Sequence, residues 1–139
     1  MSDDSFVNNR KVASLLSRKD KIRYAIHAAR LVIDTYEERN PSDNRPRLAI
    51  EAAEKVLESD TEETRAAAKE AYFGAYLAYE SAAYAGKAAE SASQAASCAY
   101  LDFDASFSAA RACHAASFIR LGITADCVEY GMSLLEPRE

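Results

Sequence analysis

Helix-breaking residues, tryptophan and long apolar runs are scarce or absent in this chain of 139 residues. Only four glycines and three prolines occur, and no proline lies between Arg47 and Glu136. The chain has no tryptophan and no apolar run of about 18 residues, the length that a membrane-spanning helix needs. Sustained alternation of β-branched or aromatic residues with polar ones is also missing, which argues against a β-sheet core. These absences predict an all-α protein that does not bind or cross a membrane.

The charge balance and the cysteines limit the classes of partner and the compartment. The formal net charge is −5 and no basic run occurs, which argues against nucleic-acid binding. An acidic chain remains compatible with a basic protein partner. The three cysteines are widely spaced, and the polar start of the chain has no apolar segment typical of a secretion signal. We therefore expect reduced thiols and a cytoplasmic protein.

Catalytic and metal-binding motifs are missing. The sequence has no glycine-rich phosphate loop, no nucleophile elbow, and no Cys-x-x-Cys or His-x-x-x-His pair. Its two histidines, His27 and His114, each lie among alanines, which is typical of a core or groove position. Arg111 lies one helical turn before His114, so these two side chains could share a site. We expect a protein without cofactor or metal that binds rather than catalyses.

Alanine recurs at spacings of three and four through the middle of the chain. A period of 3.5 residues keeps one narrow seam directed at a partner helix, and methyl side chains let the two backbones approach closely. A second run with the same spacing follows a predicted reversal near residues 101–104, and it would supply the partner helix: Ala105, Ala109, Ala112, Ala116 and Ile119. The pattern predicts a tight antiparallel helix pair whose first run contains Ala68, Ala71, Ala75, Ala78, Ala82, Ala85, Ala89, Ala92, Ala96 and Ala99.

The first alanine run is too long for one helix of a compact domain. At 1.5 Å per residue a helix over residues 61–100 would be about 60 Å long, whereas the radius of gyration expected for this chain length is about 14 Å. We expect a break between Tyr84 and Gln94, near Gly86 or the Ser91-Ala92-Ser93 step. The alternative is one long helix whose far end packs on a second copy of the chain, so a homo-oligomer stays open.

Apolar periodicity divides the first half of the chain into further helices. One helix is predicted from near Ser17 to Asn40, and the next from about Arg45 to Glu58 with Leu48 among its buried residues. The first dozen or so residues predict a short peripheral helix. The whole chain is expected to form a single domain, a compact bundle of six or seven helices.

Helix boundaries in the second half are predicted from capping signals. Asp60 followed by Glu63 resembles a capping box that would open the alanine-rich helix. Gly122 suits a position just past the end of the helix that contains His114, and Thr124 suits the N-cap of the last helix.

Two arginines lie where a helix disfavours positive charge. Asp43 or Asn44 reads as an N-cap and Pro46 suits the first turn, which places Arg45 and Arg47 at a helix N-terminus. A cation at this position typically destabilises the helix by about 0.3–1 kcal/mol unless a nearby anion compensates its charge. An acidic group is therefore expected beside these guanidinium groups.

The acidic group beside the arginines has two possible sources. Within the chain, Glu51 lies four residues after Arg47, and Glu37 or Glu38 at the end of the preceding helix could pair with Arg45. Alternatively, a partner or ligand supplies a carboxylate or phosphate, which the planar guanidinium binds through two hydrogen bonds. We expect the arginines to form part of a binding surface in addition to any internal pairing.

Tyr72, Tyr76 and Tyr79 recur at helical spacing beside the alanine seam. Tyrosines that flank a methyl seam either form the walls of a binding groove or cover the edges of the core with their hydroxyl groups in water. The sequence leaves both interpretations open.

The segment over residues 24–29 and 36–52 resembles the signature of a family of small helical immunity proteins from bacterial toxin loci and phage genomes. The shared features are an aromatic-Glu-Glu run, a proline, an acidic residue, Arg-Pro-Arg and Ala-Ile-Glu-Ala. Residues 109–116 resemble the alanine-rich stretch of that family, which ends in a histidine. The resemblance covers about residues 20–120, although a tryptophan expected after the central motif is missing. It implies an inhibitor that binds its target.

Two classes of function follow. The first is an immunity-type protein that neutralises a toxin, nuclease or defence protein by direct binding. The second is a sponge, a protein that sequesters a small anionic, nucleotide-type signalling ligand, as a phage counter-defence protein could do. The residues expected to bind the partner or anion are Asp43, Arg45, Arg47, Glu51, His27, Arg111, His114, Tyr72, Tyr76 and Tyr79.

Overall fold

A computed structural model describes residues 2–82, 85–101 and 104–136 of the chain. These residues form seven helices and no strand, so the predicted all-α fold is confirmed. The helices are α1 (Ser2–Leu15), α2 (Arg18–Arg39), α3 (Arg45–Glu58), α4 (Glu62–Ser81), α5 (Gly86–Tyr100), α6 (Ser106–Ser117) and α7 (Ile123–Leu135). None of the described helices is both long and apolar enough to cross a bilayer.

Helix α5 lies at the centre of the bundle and packs against α2, α3, α4 and α6. It consists mostly of alanine and serine, and small side chains let neighbouring helices approach it from several sides. Its buried serines are satisfied: the Ser91 hydroxyl donates to the Ala112 carbonyl at 2.7 Å, and the Ser93 hydroxyl donates to the Glu90 carbonyl at 2.7 Å. Polar residues can therefore occupy this central helix without unpaired buried groups.

Both alanine runs pack into the core. Ala71 and Ala82 are partly buried at its edge, and the other alanines of the first run are buried. Ala105, Ala109, Ala112 and Ala116 of the second run are also buried. Since α5 contacts both α4 and α6, the seam continues across three helices rather than two.

The first alanine run is broken into two helices. Helix α4 ends at Ser81 and α5 begins at Gly86, at the start of the predicted window, while Tyr84 lies outside the described residues. A Cβ on Gly86 would lie 2.9 Å from the carbonyl oxygen of Tyr79, closer than side chains normally approach. Glycine at this position therefore allows the two helices to meet at the corner.

The predicted capping box of Asp60 and Glu63 is wrong. Thr61 is the N-cap of α4: its hydroxyl accepts from the Thr64 N–H at 3.1 Å, and the Thr64 hydroxyl accepts from the Thr61 N–H at 3.0 Å. The Asp60 carboxylate accepts instead from the guanidinium of Arg65. The threonine hydroxyls form the capping box because each accepts from the N–H of the other residue, whereas the Asp60 carboxylate is bonded to two arginines, Arg18 and Arg65.

Two further predicted boundaries and one predicted core residue are also corrected. Helix α6 ends at Ser117, so Gly122 does not close it. Gly122 directly precedes α7 and is its N-cap, so Thr124 is not. The φ of Gly122, +86°, is a left-handed conformation that glycine adopts without strain. Leu48 is 46% exposed rather than buried, because the neighbouring Ala49 takes the core-facing position.

Helices α1 and α7 close one side of the bundle around Tyr24. The buried Tyr24 hydroxyl donates to the side-chain oxygen of Asn9 at 2.7 Å, and the Asn9 amide donates to the Ala110 carbonyl at 3.0 Å. Gly131 of α7 packs against Val12 and Tyr24, with no room for a methyl group. This network fixes α1 alongside α6.

Candidate functional site

The predicted binding residues occupy separate parts of the surface. The arginines of α3 lie where α3 packs against α2, α4 and α5, whereas α6 packs against α1, α2, α5 and α7. Arg45 and Arg47 therefore form one region, and Arg111 with His114 forms another. The tyrosines follow α4, and His27 faces α7. A single anion site made from all of these residues is not formed.

Asp43 supplies the anion that Arg45 requires. The Nε and Nη2 atoms of Arg45 donate to the two carboxylate oxygens at 2.9 and 2.8 Å, and its backbone N–H donates at 3.1 Å. The hydroxyl of Tyr36 also donates to Asp43 at 2.6 Å. The bonds from Arg45 hold the pKa of Asp43 well below its usual value, while burial and the bond to Asp43 raise the pKa of Tyr36 to about 12.

Glu37 supplies the anion for Arg47. Its two carboxylate oxygens each accept from the guanidinium at 2.6 Å, and these bonds lower the pKa of Glu37. The predicted pairing of Arg47 with Glu51, and of Arg45 with Glu37 or with Glu38, is therefore wrong. Glu51 is exposed and contributes only a longer-range attraction. The two arginines brace the corner between α2 and α3.

Arg45 also connects this corner to the outer side of α4. Its Cγ lies 3.8 Å from the position that a Cβ would take on Gly74, so the aliphatic part of Arg45 covers that glycine. Next to Gly74 on α4, Phe73 and Leu77 are 53% and 55% exposed. We call the surface formed by Arg45, Leu48, Phe73 and Leu77 the α3–α4 face. It combines exposed apolar side chains with a guanidinium at its edge.

The three predicted tyrosines form a row on the other flank of α4. Ring centroids are 6.0 Å apart for Tyr72 and Tyr76 and 5.6 Å apart for Tyr76 and Tyr79, and Tyr72 reaches Tyr100 of α5 at 5.8 Å. All three are partly buried, and burial raises the pKa of Tyr72. At 100° per residue the row lies about 140–160° around α4 from Gly74. Phe73 and Leu77 therefore point outward between the corner and the tyrosine row.

A second surface runs along the outer side of α6. Phe107, Arg111, His114 and Phe118 follow spacings of four, three and four, so they share one helix face. His114 contacts Phe118 with ring centroids 5.1 Å apart, and the Arg111 guanidinium lies 5.9 Å from the centroid of Phe107. Sequence reasoning identified the arginine and the histidine but missed the two phenylalanines. Their regular spacing was the signal that could have found them.

A buried carboxylate organises this second surface from α5. Glu90 is only 3% exposed; it accepts from Lys87 at 3.0 Å and from Arg111 at 3.3 Å. The Lys87 ammonium also lies 4.8 Å from the ring centroid of Phe118 and 5.5 Å from that of Tyr79, which joins the tyrosine row to α6. Burial, followed by the charges of Arg111 and Lys87, lowers the pKa of His114.

Arg111 and His114 line a cavity of about 250 Å³ between α1 and α6, together with Asn9, Arg10, Phe107 and Ala110. The two residues that lie one helical turn apart therefore line the same cavity. A neighbouring concavity of about 630 Å³ continues past Arg10, Phe107 and Ala110 towards Lys11, Ser14, Asp104 and Ser106. These walls offer guanidinium groups, an imidazole and an aromatic ring, which are suited to binding.

His27 joins two helices. Its Nε2 lies 2.7 Å from the carboxylate of Asp126, and its ring stacks on Tyr130 with centroids 4.1 Å apart and planes 3° from parallel. Both partners belong to α7, about a hundred residues along the chain, so local sequence gave no sign of them. Within the described ranges, no group of three or more His, Cys, Asp or Glu side chains is arranged to hold a metal ion.

Comparison with known protein families gives a match over most of the chain. A family model described as "Imm-5 like putative immunity protein" matches residues 11–121. No curated protein and no solved structure gives a significant match. The matched region runs from within α1 to the turn before α7, and it contains the whole α3–α4 face and the outer side of α6.

Proposed function

This chain belongs to the Imm-5 like immunity protein family, and on that basis we propose that it neutralises a toxic protein by binding it directly. The target would be a toxin, nuclease or defence protein, and neutralisation requires no catalytic step. The candidate surfaces support this proposal because they present aromatic, apolar and guanidinium groups. Such groups contribute strongly to protein interfaces.

The α3–α4 face is the surface that we assign to the protein partner. The observation that carries this assignment is the exposure of Phe73 and Leu77, each more than half accessible on consecutive turns of α4. Burying a fully exposed side chain of this size contributes roughly 1.5–3 kcal/mol, so even partial further burial of this pair would add substantially to affinity. Two neighbouring anchors of this kind are typical of the centre of an interface.

The surroundings of the α3–α4 face hold it in one conformation. On one flank the tyrosine row packs α4 against α5, and on the other Asp43 and Glu37 hold the guanidinium groups of Arg45 and Arg47. A surface that is ordered before binding loses less conformational entropy on association. Rigidity on both flanks therefore favours a binding role over a flexible linker.

Arg45 and Arg47 belong to the edge of the proposed interface. Both side chains are partly exposed, and Arg45 uses its Nε and Nη2 atoms for Asp43. A guanidinium carries five N–H donors, so Nη1 can donate to a carboxylate of the partner without breaking the internal pair. Internal pairing and partner binding are therefore compatible at this corner.

The test uses the purified chain as bait in a lysate of its native host, followed by purification of the captured protein and measurement of the dissociation constant. Replacing both anchors, Phe73→Ala with Leu77→Ala, should weaken binding by at least about a hundredfold. Phe107→Ala removes a more exposed aromatic ring, 70% against 53% for Phe73, from the other surface and serves as the control. Equal affinity of the parent and the double variant would refute the assignment of the α3–α4 face.

A further inference from the structure

We propose that the groove between α1 and α6 is a separate binding site for a nucleotide-like ligand, a phosphate attached to a planar base. We define this α1–α6 groove by Arg10, Lys11, Phe107, Arg111 and His114. It does not involve the α3–α4 face, so the inference stands independently of the protein partner proposed above.

The shape of the groove suits a small ligand. Its two concavities, of about 250 and 630 Å³, share Arg10, Phe107 and Ala110, so they form one continuous depression. Small-molecule sites commonly measure about 300–1,000 Å³. Asn9 anchors α1 to α6 at one end through its bond to the Ala110 carbonyl, which keeps the two walls at a fixed separation.

The groove has an excess of positive charge although the chain as a whole carries −5. Arg10 and Lys11 are exposed and form no ion pair within the part of the chain that the structure describes. Arg111 shares the single carboxylate of Glu90 with Lys87, which leaves one positive charge without a counterion in that cluster. The acidic residue of the lining, Asp104, lies 3.8 Å from Lys21. These cations favour an anionic ligand.

Phe107 provides the planar contact between the two concavities. Its ring is 70% exposed, and the Arg111 guanidinium lies 5.9 Å from its centroid. Nucleic-acid bases stack on exposed aromatic rings and on guanidinium planes. His114 lines the same concavity, and burial together with the charges of Arg111 and Lys87 lowers its pKa. A base and a phosphate therefore find complementary groups within one groove.

The groove is less suited to an acidic helix of another protein. A bound amphipathic helix needs a row of apolar pockets matching anchors three, four and seven residues apart. The apolar lining of the α1–α6 groove consists of Phe107 and Ala110 in both concavities. One exposed ring surrounded by cations corresponds to one base and its phosphate rather than to a helix face.

The full chain is titrated with AMP and with GMP, and binding is measured by isothermal titration calorimetry and by changes in the amide NMR shifts. Adenosine, inorganic phosphate and poly-glutamate serve as separate probes of the base, the phosphate and an acidic peptide. We expect a nucleotide to bind with a dissociation constant below about 1 mM and to shift the amides of Phe107 and Arg111. Adenosine and phosphate alone should each bind at least about tenfold more weakly.

Variants locate the binding in the groove. Phe107→Ala and Arg111→Gln should each weaken nucleotide binding by about tenfold or more. Met132→Ala, a change of an exposed apolar side chain on α7, and Arg30→Gln, a change of a paired arginine on α2, should leave it unchanged. The proposal is overturned if neither nucleotide binds, or if the groove variants bind as tightly as the parent. Phosphate or poly-glutamate binding as tightly as a nucleotide would also overturn it, because the base would then contribute nothing.

Discussion

Glu90→Gln should destabilise the protein while strengthening anion binding in the α1–α6 groove. The carboxylate is 3% exposed and accepts from Lys87 at 3.0 Å and from Arg111 at 3.3 Å. A neutral amide of the same shape has one acceptor oxygen, so it can satisfy only one of these cations and turns its NH₂ group towards the other. The substitution therefore removes a charge-assisted interaction without creating a cavity.

The expected loss of stability is about 1–2 kcal/mol. A hydrogen bond to a charged group contributes about 1.5–3 kcal/mol, and this is reduced here because Lys87 and Arg111 are partly exposed and regain water. For a domain of this size each kcal/mol lowers the melting temperature by about 4 °C, so we expect a fall of about 4–8 °C. Removing the negative charge that neutralises Arg111 should strengthen nucleotide binding, by about threefold if the phosphate binds about 6 Å from that charge.

Thermal and urea unfolding of the parent and Glu90→Gln measure the first effect, and calorimetry with AMP measures the second. Glu80→Gln, an exposed change on α4, is the control and should alter the free energy of unfolding by less than about 0.5 kcal/mol. If Glu90→Gln unfolds like the parent, the carboxylate does not hold Lys87 and Arg111 together, and our account of this cluster is refuted.

Three further predictions concern the core and the α2–α3 corner. Ala78→Leu inserts a larger side chain into the fully buried α4–α5 contact and should lower the free energy of unfolding in urea by about 1–3 kcal/mol. The control, Ala67→Leu at an exposed position, should change it very little. Equal stability of the two variants would show that the seam is not tightly packed. A lysine at position 45 or 47 cannot form the two parallel hydrogen bonds that Arg45 makes to Asp43 and Arg47 makes to Glu37, so Arg45→Lys and Arg47→Lys should each lower the melting temperature by a few degrees. If both arginines contact the partner, each change should also weaken partner binding about tenfold. A large loss of thermal stability with unchanged affinity would confine them to a structural role. The pKa of Asp43 is lower in the folded state than in the unfolded state, so the unfolded state binds more protons in acid. The contribution of Asp43 to stability is therefore present above about pH 4 and is lost as the pH falls through the folded-state pKa. Asp43→Asn should flatten this part of the curve of melting temperature against pH, and an unchanged curve would contradict the bonding of Asp43.

The fold could be predicted from the sequence because its main signal is local. Alanine spacing, scarce proline and the absence of strand patterns all act within a few turns of helix, and they predicted a bundle of six or seven helices; the described residues form seven. Several helix ends were mispredicted because competing caps differ by little energy. At the start of α4 the hydroxyls of Thr61 and Thr64 replaced the expected pair of Asp60 and Glu63.

The candidate sites could be predicted only in part, because side chains distant in sequence complete them. Arg45 was expected to pair with a glutamate of the preceding helix. It pairs instead with Asp43, which lies two residues before it in the turn between α2 and α3. The partner of Arg111, Glu90, is 21 residues away and approaches only because α5 packs on α6. Such pairings depend on the topology of the bundle, which periodicity does not determine.

Growth of bacteria that produce the captured target protein tests the central claim most directly. If the target is toxic and this chain neutralises it through the α3–α4 face, coexpression of the parent should restore growth. The double variant Phe73→Ala with Leu77→Ala should fail to restore it at equal expression, while Phe107→Ala should restore it fully. Full rescue by the double variant, or a captured protein that does not impair growth, would contradict the account.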